Sequence, residues 1–247
     1  MSLRDAVAEF WAIPPGSVQV TMIHLQRAKE REPLVQALTA AIGCELTVMD
    51  AVDGREAVSA GHPTACAMEL GKVRTAGEVG CLMSHVAAAR QALAAGAQAL
   101  IIFEDDCCAK PEFSVAALAG YFCDIRDFSA KFQYPACPQD LILLSTGGCY
   151  QQLPLGRRFK GTNRFNCSHA LLLSRTMMEK LIGAYEFLKE RGLMAPVDGL
   201  YGLLLQTEGK FAACPVEERI FFFQAADIPS YVLTDGLAPR KESPKEE

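Results

Sequence analysis

The chain has 247 residues, and at ~100–200 residues per domain its patterning reads as one large domain. Half of its residues are hydrophobic and 21% are charged, which supplies a core of ordinary size and excludes a disordered chain. The formal charge of -5, from 29 acids against 24 lysines and arginines, excludes nucleic acid as a partner of the whole surface, because phosphate neutralisation needs a basic excess.

Residues 1–17 carry charges at Arg4, Asp5 and Glu9 and then Pro14-Pro15-Gly16, so they read as a peripheral lead. They lack the basic flank and apolar run of a secretion signal, and no apolar stretch reaches the ~20 residues of a membrane span, so a cytoplasmic location is expected. The ten cysteines are scattered, with no C-x2-C pair, and read as small buried hydrophobes in a reducing compartment. Residues 18–25 (VQVTMIHL) predict a strand, residues 27–42 a helix with Leu34, Leu38 and Ile42 at helical spacing, and residues 44–49 a second strand before Val52-Asp53-Gly54. Thr75-Ala76-Gly77-Glu78 is a capping-box sequence, and behind it Val79, Leu82, Val86, Ala89 and Leu93 predict a long helix with one face on a sheet, closed by Gly96.

Residues 99–103 (ALIIF) form a continuous apolar run, the mark of a strand buried on both faces, and it ends in Glu104-Asp105-Asp106. Further strands are predicted at 141–144, 169–173 and 220–223, with helices over 176–191 and after Pro196. This alternation predicts an α/β sandwich with a mostly parallel central sheet flanked by helices over 18–237, and residues 238–247 read as a disordered charged tail.

Ligands of open α/β sheets bind beyond the carboxyl ends of the strands, so the acid triplet marks the candidate site. On a strand, Glu104 and Asp106 would share one side and Asp105 the other. A pair of carboxylates at a strand end selects a hard cation such as Mg2+ or Mn2+ bridging to phosphates, although a solvated strand end is an equally common use of such acids. The chain has neither G-x-x-x-x-G-K-[ST] nor G-x-G-x-x-G nor G-x-S-x-G, which removes P-loop, dinucleotide-binding and hydrolase-elbow readings. A haloacid-dehalogenase-like phosphatase fails because Asp105 is followed two residues later by Cys107, not by a second aspartate.

The segment TAGEVGCLMSHVAAARQALAAGAQALIIFEDD, residues 75–106, resembles the core motif of glycosyltransferase family 25, the lipopolysaccharide galactosyltransferase family that also contains collagen galactosyltransferases. Weaker matches flank it: MIHLQRAKER, the VDG after the second strand, HALLLSRTMMEKLI, and Ala195-Pro196-Val197-Asp198. Two places depart from the family pattern. His24-Leu25-Gln26-Arg27-Ala28 stands where an Asn-Leu-Asp-Arg-Arg type of sequence is usual, and Asn166-Cys167-Ser168-His169 stands where Gly or Tyr is common.

The resemblance implies a GT-A-like, Rossmann-type fold and a metal-dependent, inverting transfer of a hexose from a UDP-sugar. UDP-galactose is the family habit as donor, and a hydroxyl of a lipopolysaccharide-type glycan is the acceptor. It implies Mn2+ or Mg2+ held by Asp106 with Glu104, donor contacts from Glu104, Asp105, His85 and Arg27, and Asp198 as catalytic base, with Asp53 or Glu217 as substitutes for that role. His85 also fits a satisfied half-buried helix residue, and Asp198 also fits a helix N-terminal acid. Arg157, Arg158, Lys160 and Arg164 form a basic stretch in an acidic protein. It has three open uses: the donor diphosphate, a lipid-linked acceptor at an anionic membrane surface touched peripherally, or a solvated loop. Two other functions stay open at this point: a GT-A-like domain that binds nucleotide-sugar or glycan without transfer, and a nucleotidyltransferase, the latter disfavoured by the absence of a Gly-rich first loop.

Overall fold

A computed structural model describes residues 1–66, 75–132, 140–145, 153–154, 159–166, 168–216 and 221–225. The first half runs α1 (Leu3–Trp11), β1 (Val18–His24), α2 (Glu32–Ile42), β2 (Thr47–Asp50), α3 (Gly54–Ser59), β3 (Ala65–Cys66), α4 (Ala76–Ala94), β4 (Ala99–Glu104), β5 (Cys107–Ala109) and α5 (Val115–Phe132). The second runs β6 (Leu141–Leu143), β7 (Leu153–Pro154), β8 (Phe159–Thr162), β9 (Ala170–Ser174), α6 (Arg175–Glu190), β10 (Leu193–Met194), α7 (Val197–Thr207), β11 (Ala212–Pro215) and β12 (Phe222–Gln224).

Eight strands form one sheet in the order β2-β1-β4-β9-β6-β11-β8-β7. β2, β1 and β4 are mutually parallel, as are β6 and β11, whereas β9 and β8 run against their neighbours. The sheet is therefore mostly parallel in direction, with β9 reversed at its centre. Two small sheets, β3 with β10 and β5 with β12, sit outside it. The apolar runs explain the layering, since β4 and β9 bury residues toward both faces. On one face Leu100, Ile102, Leu171 and Leu173 meet α4, α6 and α7, and on the other Ile101, Phe103 and Leu172 meet α1, α2 and α5. β2 is the exposed edge.

The lead over 1–17, which reads as peripheral, contains a capped helix that belongs to the second of these cores. Ser2 Oγ accepts the Asp5 N–H at 3.2 Å and the Asp5 carboxylate accepts the Ser2 N–H at 2.9 Å, a reciprocal cap. Leu3 and Val7 are fully buried, so three charges in a short stretch mask an amphipathic helix whose apolar stripe recurs at four residues.

Helix α4 also differs from its sequence pattern. The spacing predicts one buried face, yet Val79, Leu82, Ser84, His85, Val86, Ala88 and Ala92 are all buried around its circumference. Small residues let neighbours approach on every side. A Cβ on Gly80 would lie 2.5 Å from the Val52 carbonyl oxygen, and one on Gly54 would lie 1.7 Å from that of Ala76. The two glycines thus let the start of α3 press directly on the first turn of α4. The cap of α4 is the expected one, with Thr75 Oγ1 accepting the Glu78 N–H at 3.2 Å.

Candidate active site

The parallel strands β1, β2 and β4 end on the same side, and a cleft partly open to solvent lies there. Leu25, Arg27 and Arg31 from the β1 exit, Val52 and Gly54 after β2, Gly77, Cys81 and His85 from α4, and Glu104, Asp105 and Asp106 line it. The core motif reads directly onto this geometry. Gly80 admits α3, Ser84 Oγ donates to the Gly80 carbonyl at 2.7 Å and accepts the Val52 N–H at 2.8 Å, and Cys81 and His85 turn toward Glu104.

The three acids have separate roles because β4 ends at Glu104 and the chain turns at Asp105. The alternation expected of a strand therefore stops there. Glu104 Oε1 receives His85 Nε2 at 3.0 Å, Ser168 Oγ at 2.8 Å and Cys81 Sγ at 3.6 Å. Burial raises this carboxyl, but the His85 hydrogen bond and charge, with Ser168 and His169 behind them, outweigh it and hold Glu104 well below its ordinary value. Asp105 Oδ2 accepts the Leu25 N–H at 2.8 Å and meets His24 Nδ1 at 2.9 Å, while Oδ1 takes Arg31 Nη1. All its acceptors face β1, so it ties the β1 exit to the end of β4. His24, one of the departures from the family pattern, is thereby a buried structural partner of Asp105.

Asp106 Oδ2 accepts from Gln224 Nε2 at 3.0 Å and lies 3.5 Å from Arg31, which it shares with Asp105. Its other oxygen, Oδ1, is buried without a hydrogen-bond partner among the described residues. Burial, then the nearby Glu104 charge, push this carboxyl up to about 6. Asp105 and Asp106 thus share one guanidinium, and the nearby Glu104 charge adds to the negative side of the site.

Arg27, expected to touch the donor, lines the cleft and donates from Nε to Asp53 at 2.7 Å. Asp53 also caps α3 by accepting the Arg55 N–H at 2.9 Å. Although burial raises Asp53, its two hydrogen bonds prevail and lower it, which makes it a poor proton acceptor. His85 is buried and uses both ring nitrogens within the protein, Nδ1 lying 3.3 Å from Tyr201 Oη. It therefore positions Glu104. Asp198 is half-buried in the first turn of α7, and its charge, like that of Glu104, acts on both Cys81 and Tyr201, whose protons are held first of all by burial. The fold thus gathers Asp198 and Glu104 around one buried cluster.

Of the basic stretch, the described residues Lys160 and Arg164 are not gathered with them. Lys160 sits on β8, four strands from β4 in the sheet order, and faces Cys214 across the antiparallel pair. Arg164 is exposed beyond that strand. Arg157, Arg158, Glu217 and the tail from 238 lie outside the described residues. Two residues at the site lie in the segments that resemble the family but have no role assigned from the sequence: Arg31, buried between Asp105 and Asp106, and His169, whose backbone oxygen accepts the Glu104 N–H at 2.9 Å. An Arg four residues after Arg27 is a usable signal for the first; the second needs the β4–β9 pairing.

Residues 18–133 match the model of glycosyltransferase family 25 (LPS biosynthesis protein). No curated protein matches the chain. Among solved structures, the crystal structure of mannose-1-phosphate geranyltransferase from Thermus thermophilus is similar at 13% identity and a TM-score of 0.34, covering 88% of this chain and 60% of that one. Among the described residues no helix is long and apolar enough to cross a membrane.

Proposed function

We infer, from a chain whose residues 18–133 match the glycosyltransferase family 25 model, that this protein transfers a hexose from a UDP-sugar to a hydroxyl of a glycan acceptor, with inversion at the transferred carbon. The observation that carries the reading is the cleft at the carboxyl ends of β1, β2 and β4, where Asp105 and Asp106 share Arg31 and one Asp106 oxygen is buried short of any partner among the described residues. A divalent ion fits that deficit. Asp106, with a buried partnerless oxygen, and Glu104 beside it would hold Mn2+ or Mg2+, and such an ion supplies charge to a departing diphosphate.

The chain's own residues set the rest of the chemistry. Arg27 and Arg31 give the cleft its guanidinium edge and suit phosphate oxygens, since the planar fork donates two parallel hydrogen bonds. His85 and Ser168 hold Glu104 ionised and fixed in orientation. An inverting transfer needs one base on the acceptor side, and Asp198 is assigned that role: it takes the proton of the acceptor hydroxyl as the oxygen attacks the anomeric carbon and the sugar–phosphate bond breaks.

Asp198→Asn keeps shape but not basicity. Turnover of UDP-sugar, measured with a panel of donors, should fall by ~10^2 to 10^4 while donor affinity stays near wild type. Unchanged turnover would remove Asp198 from the reaction, and absence of transfer or hydrolysis with every UDP-sugar would overturn the transferase reading.

A further inference from the structure

We propose that Cys81, His85 and Glu104 form a binding site for one zinc-class divalent ion, distinct in ligand chemistry from the hard ion assigned to Asp106, with Glu104 as the carboxylate the two share. Cys81 and His85 are four residues apart on α4, which puts both on one face of the helix. Glu104 comes to them from the end of β4. One ligand atom of each, the Cys sulfur, a His nitrogen and a carboxylate oxygen, lies within 4.8 Å of the others. Tetrahedral ligation at ~2.3 Å for sulfur and ~2.0 Å for nitrogen and oxygen separates a sulfur–oxygen pair by about 3.5 Å and a nitrogen–oxygen pair by about 3.3 Å. The observed separations, 3.6 Å and 3.0 Å, match that spacing.

Two further observations point to an ion. A carboxylate oxygen offers about two lone-pair directions, yet Glu104 Oε1 is met by three donors, Cys81, His85 and Ser168. That crowding is relieved when the thiol proton leaves and a cation takes the centre. Independently, His169 is 3% exposed, and neither ring nitrogen is hydrogen-bonded among the described residues. Its backbone bond to Glu104 sets the two opposite each other across β4 and β9, so their side chains share one face of the sheet. Its ring nitrogens lie outside the set of ligand atoms within 4.8 Å of one another, so the protein ligands are three, and His169 adds a buried unsatisfied imidazole on the sheet face that carries Glu104.

The outer contacts suit the role as well. Tyr201 Oη stands 3.3 Å from His85 Nδ1, the position from which an outer partner fixes the tautomer that leaves Nε2 free to ligate. A thiolate–imidazole–carboxylate set prefers zinc or cobalt to magnesium or calcium, which favour oxygen alone. The site does not depend on the transferase reading, because it concerns the ion and not the donor.

The test uses the full chain, stripped with chelator and titrated with Co2+, with Zn2+ as competitor. We expect one equivalent of tetrahedral Co2+ with a near-ultraviolet thiolate-to-cobalt charge-transfer band, displaced by Zn2+. The band should vanish in Cys81→Ser and in His85→Gln, and Tyr201→Phe should weaken binding by roughly 10- to 100-fold. Circular dichroism confirms that each variant is folded. A wild-type protein that shows no thiolate band, or a band that survives in both folded variants and so arises from other cysteines, overturns the proposal. Mn2+-dependent UDP binding is read separately, so failure here and failure of the donor reading are distinguishable.

Discussion

Asp105 and Asp106 are neighbours with opposite consequences for the folded state. Asp105 is buried with both carboxylate oxygens engaged, and its Arg31 partner is buried with it. Neutralising one member of such a pair strands the other, which typically costs about 3–5 kcal/mol. Asp105→Asn should therefore lower the urea midpoint strongly. Asp106 is the reverse case, since its folded carboxyl is raised from near 4 to about 6. A carboxyl raised on folding contributes stability that is present below the unfolded value and lost as pH rises through the folded one. Wild type should accordingly lose stability between about pH 4 and pH 7, and Asp106→Asn should flatten that slope and be no less stable at neutral pH. Urea titrations of both variants across this range check it; a slope unchanged in Asp106→Asn would contradict the assignment. At this scale the sequence made the acid triplet legible as a candidate site, because it follows a buried strand at the end of a sheet where ligands bind. It did not make their division of labour legible, because β4 ends at Glu104 and the turn reorients Asp105 and Asp106, and because Arg31, His24 and Gln224 come from distant positions.

The element that organises the cleft is α4, and its fit to α3 depends on two glycines. Adding a methyl at Gly80 brings it to 2.5 Å from the Val52 carbonyl, against backbone that has no flexible end to give, so the neighbouring chain must shift. That shift breaks the Val52–Ser84 hydrogen bond and moves Cys81 and His85 away from Glu104. Gly80→Ala should lower stability by about 1–3 kcal/mol or more and weaken donor binding with it. Gly183 in α6 is the internal control: nothing lies within 4 Å of its added Cβ, and alanine there should stabilise by about 0.4–1 kcal/mol through the unfolded chain. Thermal unfolding of the two variants decides this, and equal effects would refute the close-contact account. The elements themselves follow the letters closely where periodicity is strong: β1, α4, β4, α6 and α7 stand where the spacing predicts. The sequence hid α1 behind its charges, and α3 and α5 behind weak start signals. The burial of α4 on all sides is illegible to a one-face pattern because alanine and glycine satisfy either environment.

The molecule as a whole is a mixed sheet with a core on each face and a cleft on the side where β1, β2 and β4 end. Strand alternation announces the layers, but not that β9 reverses at the centre, since a buried strand reads alike in either direction. That reversal is what brings Ser168 and His169 to Glu104, which the letters of their segment do not reveal. The central claim, that this cleft binds a nucleotide diphosphate through an ion held by Asp106 and Glu104, is tested most directly by calorimetric titration of the wild-type chain with UDP in the presence of Mn2+ and again in EDTA. The account predicts saturable binding with Mn2+, weakened by about tenfold or more in EDTA, a difference of ~1.4 kcal/mol, and weakened likewise with Mn2+ present in Asp106→Ala. Equal affinity in Mn2+ and EDTA, or no binding in either, would contradict it.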